Sequence, residues 1–182
     1  VLAAGGRVFV SNGHNDSVTV IDAASRRVVA EIAIRIPGLE ARRGVLPVGM
    51  AYHEKTGWLL VAEAGINAVG VIDTRRLKFI GHLPAGWFPT RVAVHGDTVY
   101  VSNAKGHGTG PNATKFAALA DSFQGSRRRG SISIFGLPDA SKFSASSYKP
   151  KLTLDYISPP QVGVGYDRYY GAYGGGGIAA YW

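Results

Sequence analysis

The sequence predicts an all-β fold of about three four-stranded antiparallel sheets that follow one another as blades of a partial β-propeller, with a Gly- and Tyr-rich C-terminal tail. Three observations carry that expectation. The strand pair Val8-Phe9-Val10-Ser11-Asn12 and Ser17-Val18-Thr19-Val20-Ile21-Asp22 recurs, at the same nine-residue spacing, as Leu59-Leu60-Val61-Ala62-Glu63 and Ala68-Val69-Gly70-Val71-Ile72-Asp73. A third copy, Val99-Tyr100-Val101-Ser102-Asn103 with Ser131-Ile132-Ser133-Ile134-Phe135, keeps both strands but separates them by 23 extra residues. Copies two and three begin 40 residues apart, the period of a propeller blade of four short strands.

Each element follows from alternation bounded by turn residues. The first unit has strand B over Arg7 to Ser11, C over Ser17 to Asp22 and D over Arg27 to Ile34. Val1 to Ala4 supply only the end of its A strand, so the chain opens inside a blade. The second unit is complete: A over Val48 to His53, a turn over Glu54 to Gly57, B over Trp58 to Ala62, C over Ala68 to Asp73 and D over Lys78 to Leu83. In the third, Arg91 to His95 is A, Gly96-Asp97 is a two-residue hairpin signal, Thr98 to Asn103 is B, Ser131 to Phe135 is C and Lys151 to Tyr156 is D. The expected organisation is a partial propeller over 1–160, with blades at about 1–34, 47–83 and 90–157 and insertions at 35–46 and 105–130. A tail over 161–182 follows.

Composition narrows the chemistry. The 182 residues are 46% hydrophobic and 18% charged, which suits a packed core. The absence of Cys excludes disulfides, thiolate zinc sites, iron–sulfur clusters and Cys-linked haem. No apolar run reaches the roughly 20 residues that span a bilayer, so no transmembrane segment is expected. The first residues carry no signal-peptide pattern and no initiator Met, so the chain is expected to be a processed product or part of a longer polypeptide. A net charge of +8 permits an acidic partner. The basic residues pair at turns (Arg26-Arg27, Arg42-Arg43, Arg75-Arg76) or run as Arg127-Arg128-Arg129 without interleaved aromatic platforms, which argues against nucleic acid.

The organisation resembles the YVTN-repeat family of β-propellers. The B-strand motif stands as Val99-Tyr100-Val101-Ser102-Asn103 and more loosely as Val8-Phe9-Val10-Ser11-Asn12; the C strands ending in Val20-Ile21-Asp22 and Val71-Ile72-Asp73 match its second signature. The likeness covers about residues 1–157. Gly86-Trp87-Phe88-Pro89-Thr90, the stretch Asn103 to Asn112 and the stretch Gly130 to Asp139 are similar to the propeller part of bacterial YVTN proteins that carry a phosphoesterase domain after the propeller. The resemblance implies an extracytoplasmic protein, periplasmic or secreted. Beyond Pro160 the chain departs from the family, and the family's catalytic residues have no counterpart here.

Strand parity places the B-to-C loops and D-to-A crossovers on one face, so both insertions are expected there. Long loops on a rigid scaffold concentrate binding function. That face is expected to carry His14, Arg42, Arg43, Trp87, Phe88, His107, Arg127, Arg128 and Arg129. Against each stands a plainer reading. His14 lies in a turn-rich stretch that usually just turns. His107 lies among glycines with no phosphate-loop spacing. Trp87-Phe88 suits a wedge between blades better than a ligand platform. His53 and His95 end equivalent A strands, which suggests a shared structural role, and His82 on strand D is expected at an outer edge. No nucleophile lies beside a recognisable base, and Asp22 and Asp73 are equivalent turn residues; no catalytic residue, metal site or cofactor is expected.

Three blades do not close a propeller, which normally takes four to eight, and an open wedge leaves apolar sheet faces uncovered. The tail holds Tyr166, Tyr169, Tyr170, Tyr173, Tyr181 and Trp182 among glycines, rings suited to an interface with another chain or the remainder of a longer polypeptide. Two functions remain open. One is a non-catalytic binding or assembly module within a larger extracytoplasmic protein or complex. The other is the propeller portion of a secreted phosphoesterase-like enzyme whose catalytic domain lies outside these residues. A redox propeller holding haem or a quinone is disfavoured, since it would need a His at the central channel.

Overall fold

Alternating apolar and polar residues over six-residue segments form strands that bury one face at a time. A computed structural model describes residues 1–36, 38–105 and 130–139, and every described regular element is such a strand. Sheet I contains β1 (Leu2–Ala4), β2 (Arg7–Asn12), β3 (Ser17–Asp22) and β4 (Val28–Ala33), in that spatial order. Sheet II repeats the plan with β5 (Pro47–His53), β6 (Trp58–Glu63), β7 (Ala68–Asp73) and β8 (Lys78–Pro84). Sheet III joins β9 (Pro89–His95), β10 (Thr98–Asn103) and β11 (Ser131–Gly136). All pairings are antiparallel. The fourth strand expected at Lys151 to Tyr156 lies outside the described residues, as does the tail with Tyr166, Tyr169, Tyr170, Tyr173, Tyr181 and Trp182.

Register shows how the repeat packs. Val8, Leu59 and Val99 occupy one position of the unit, and Phe9, Leu60 and Tyr100 the next. Period-two alternation sends these two sets to opposite faces. One core layer joins Phe9, Val18 and Val20 of sheet I to Leu59, Val61 and Ile72 of sheet II. The second joins Leu60, Val69 and Val71 of sheet II to Val92, Val99 and Val101 of sheet III. The trailing face of sheet I thus meets the leading face of sheet II, and the trailing face of sheet II meets the leading face of sheet III. Sheet II, covered on both, is buried along the whole of β6 and β7. Burying each of its Leu and Val side chains contributes about 1.5–3 kcal/mol.

Turn chemistry repeats with the strands. Asp22 Oδ1 accepts from the Ser25 backbone N–H at 2.7 Å, and Asp73 Oδ1 accepts from Arg75 and Arg76 N–H at 2.9 and 3.0 Å. The bonds from Ser25 hold the Asp22 carboxyl below its ordinary pKa. At Asp73 partial burial pushes the carboxyl up, but the bonds from Arg76 and Arg75 together outweigh it and the net direction is again down. Gly96, at φ 56°, closes the hairpin between β9 and β10.

Candidate functional site

The strand order brings the β2–β3 and β6–β7 turns and the start of the β10–β11 connection to the same end as the crossovers 34–46 and 85–88. Backbone hydrogen bonds lock them together: Ala64 and Gly65 N–H reach Leu46 and Val45 O, and Ala104 and Lys105 N–H reach Phe88 and Trp87 O. Leu46 and Phe88, each preceding the proline that begins an A strand, have φ of 53° and 59°. Such non-glycine conformations cost about 1–3 kcal/mol and persist only where the surroundings hold them. Here a side chain does so. Asp16 accepts from Leu46 N–H at 2.9 Å and Gly44 N–H at 2.6 Å; Asn67, the equivalent residue in the next unit, accepts from Phe88 N–H at 2.9 Å. Asp16 and Asn67 themselves sit at φ 51° and 60°, a region Asp and Asn tolerate.

This end of the molecule carries the residues expected from the sequence, in different roles. His14, Arg42 and Arg43 are exposed. The Arg43 guanidinium bonds the carbonyls of Glu40 and Arg42, its own loop. Trp87 is buried at 5% exposure, so its ring does not present a platform to solvent. Phe88 is half-buried, with Lys105 Nζ 4.2 Å from its ring centroid, a cation–π contact. His107, Arg127, Arg128 and Arg129 lie outside the described residues.

Beneath the 34–46 crossover sits a pair that the residues alone do not announce. Glu63 on β6 and His82 on β8 are both buried, with Glu63 Oε2 2.6 Å from His82 Nδ1. The outer-edge expectation for His82 is thus corrected: strand D is outermost in its sheet, but the crossover and sheet I cover this position. His82 Nε2 lies 3.3 Å from Arg35 O. A carbonyl only accepts, so Nε2 carries a proton and Nδ1 shares the second with Glu63. Burial is the largest influence on both groups. It pushes the Glu63 carboxyl up, aided by the charge of Asp16 and opposed by His82. It would lower His82, but the charge and hydrogen bond of Glu63 outweigh it and the imidazole is raised. Among the described residues Glu63 Oε1 has no hydrogen-bond partner. Buried from solvent, the pair ties β6 to β8 within sheet II and meets the crossover from sheet I at the Arg35 carbonyl.

Alignment of the three units carries the signal for it. Sheet I has Asn12 Nδ2 donating to Ser17 and Thr19 hydroxyls at 3.0 and 2.8 Å, and sheet III has Asn103 Nδ2 donating to Ser131 and Ser133 at 3.3 and 2.9 Å. Sheet II replaces these residues by Glu63, Ala68 and Gly70 at once. Gly70 is required, because a Cβ there would overlap Glu63 Oε1 and press on Phe79.

The opposite end joins sheets II and III through His53. It is buried, with Nδ1 2.7 Å from Thr56 Oγ1 and Nε2 3.3 Å from Asp97 Oδ1, while Lys55 Nζ reaches Asp97 Oδ2 at 3.2 Å. His95, its repeat counterpart, is exposed on sheet III, which no described sheet follows. Among the described residues no group of three or more His, Asp or Glu is placed to hold a metal ion, and no helix is long and apolar enough to cross a membrane.

No family model matches this chain, and no curated protein does. Among solved structures, it is similar to Kuenenia stuttgartiensis hydrazine synthase, at 28% identity and a TM-score of 0.48 over 55% of this chain and 26% of that one. A functionally unknown protein from Desulfotomaculum acetoxidans matches at 16% identity and a TM-score of 0.46, over 55% of this chain and 32% of that one. The chain thus matches about a quarter to a third of the length of these structures.

Proposed function

We propose that this chain is a non-catalytic binding and assembly module made of β-propeller blades of the YVTN type, a segment or subunit of a larger extracytoplasmic protein or complex. One observation carries the reading. On sheet III, Ile132 and Ile134 are 67% and 62% exposed and Tyr100 is 37% exposed, whereas the equivalent Val69, Val71 and Leu60 of sheet II are fully buried by the sheet that follows. An apolar face built to receive another sheet, and covered by none of the described residues, is an assembly surface. The loop end carries Arg35, Arg42 and Arg43 on the first crossover and Lys105 over Phe88 at the second, and it is the complementary binding end, its cationic groups suited to an acidic partner.

The test is hydroxyl-radical footprinting of the purified chain at rising concentration, with a phosphodiester hydrolysis assay beside it. The module reading expects Tyr100 to become protected as concentration rises, with no hydrolysis. Tyr100 labelled equally at every concentration, or metal-dependent hydrolysis by these 182 residues, overturns it.

A further inference from the structure

Among the described residues, sheets I and III each leave one face uncovered, on opposite sides, and those faces are made of the same repeat positions that bind each other inside the chain. At the first internal joint, the trailing residues Phe9, Val18 and Val20 meet the leading residues Leu59, Val61, Ile72 and Phe79. At the second, trailing Leu60, Val69 and Val71 meet leading Val99, Val101 and Phe135. A third trailing set, Tyr100, Ile132 and Ile134, is exposed on sheet III. A third leading set is Val8, Val10, Ile21 and Val28 on sheet I, where Val28 is 64% exposed and the others are half-buried. Val28 stands opposite Ile21 as Phe79 stands opposite Ile72, so the correspondence extends to the outer strand and holds across three strands of the sheet.

The geometry points to a second copy of this chain as the occupant: the trailing face of sheet III packs on the leading face of sheet I of the next molecule, head to tail. This rests on the assembly reading above and names its partner. The unmatched surfaces are complementary to each other rather than to themselves, since the large trailing side chains at each internal joint meet a leading face. The contact is therefore heterologous, and it closes into a ring of copies if the rotation permits and extends as a fibre otherwise. It continues the two interfaces already present in the chain. The polar residues on the leading face of sheet I, where Ser17 Oγ and Asn15 Nδ2 donate to Glu31 Oε1 at 2.9 and 2.7 Å, would lie along the edge of this contact, as the Asn103 cluster lies along the second joint.

The chain lacks Cys, so single thiols report the geometry directly. In the experiment, purified chains carrying Ile134→Cys or Val10→Cys are oxidised separately and as an equimolar mixture, and solution mass is measured for the wild type, Ile134→Asp and Val10→Asp. Head-to-tail packing expects a cross-linked heterodimer only in the mixture, a wild-type mass of two or more chains, and monomers for each Asp variant. It further expects the two Asp variants to form a heterodimer when mixed, because each retains one intact face. Circular dichroism of each Asp variant before mixing checks folding, and the thiol variants carry the test if either misfolds. Disulfide-linked homodimers of the Ile134→Cys chain oxidised by itself would overturn the head-to-tail contact while leaving the assembly reading intact. A wild-type monomer with no cross-link in any mixture would overturn this inference; the footprint of Tyr100 would then decide the assembly reading separately.

Discussion

Sheets I and II solve one packing position in two ways. Sheet I fills it with Asn12, Thr19 and Glu31, a cluster of hydroxyl, amide and carboxylate groups that keeps some contact with water. Sheet II fills it with Glu63, Gly70 and His82, an ion pair with almost no exposed surface. The carboxylate has moved from the outer strand to the second strand, and the basic ring has taken its old place. The exchange works only because the residue between them has lost its side chain. Burial then changes the energetics: a partly hydrated cluster tolerates loss of one member, whereas a buried pair leaves an uncompensated charge when broken.

Restoring a side chain at the middle position tests this most severely. Gly70→Thr, the residue sheet I uses there, displaces Glu63 and is expected to cost about 4 kcal/mol or more by denaturant unfolding. With Glu63→Asn and His82→Glu added, which imports the whole sheet I cluster, most of that loss should return. If the triple variant is no more stable than Gly70→Thr alone, the two clusters are not interchangeable.

Breaking the pair comes next. His82→Leu leaves Glu63 buried without its imidazole and is expected to cost about 3 kcal/mol at neutral pH. In the wild type the folded His82 binds its proton more tightly than an unfolded imidazole. Its contribution is therefore complete below the unfolded value of 6.5 and is lost as pH rises through the raised folded value. The raised Glu63 carboxyl acts in the same direction, since the folded pair again holds more protons than the unfolded chain. Unfolding midpoints measured from about pH 6 to 9 should fall in the wild type and fall less in the double variant Glu63→Gln with His82→Leu, which lacks both titrating groups; parallel curves would count against the pair as the source.

Smaller effects separate the crossover clamps. Asp16→Ala removes acceptors for two backbone N–H groups and should cost about 2 kcal/mol, against about 1 kcal/mol for Asn67→Ala, whose side-chain oxygen holds the Phe88 N–H. Equal losses would show that the long crossover leans no more on its clamp than the short one. Smallest of all, Thr19→Ala in sheet I should cost under about 1 kcal/mol, since water can replace its hydroxyl.

Much of this was legible in the residues. The paired strands, their spacing and the Asp22 and Asp73 turns follow from period-two alternation and local capping, which need no knowledge of distant neighbours. The burial of Trp87 could be read the same way, because a large ring close to a proline in a short crossover has little room in solvent. His82 could not. Alternation placed it on a strand, yet its burial depends on the 34–46 crossover folding over it, and Arg35 lies far away in sequence. His53 shows the same dependence, since its ring nitrogen meets Asp97 of the following sheet.

The amino-acid sequence by itself determined which segments become strands, how they recur and which face of each is apolar, since those properties arise from residue-to-residue periodicity and short-range hydrogen bonding. Only the tertiary structure decided which faces are covered, which turn carboxylate holds a crossover, and that Glu63 and His82 share a proton out of reach of water. The physical reason is that burial, desolvation and charge pairing depend on what packs against a residue, and in a stack of similar sheets that neighbour belongs to another repeat.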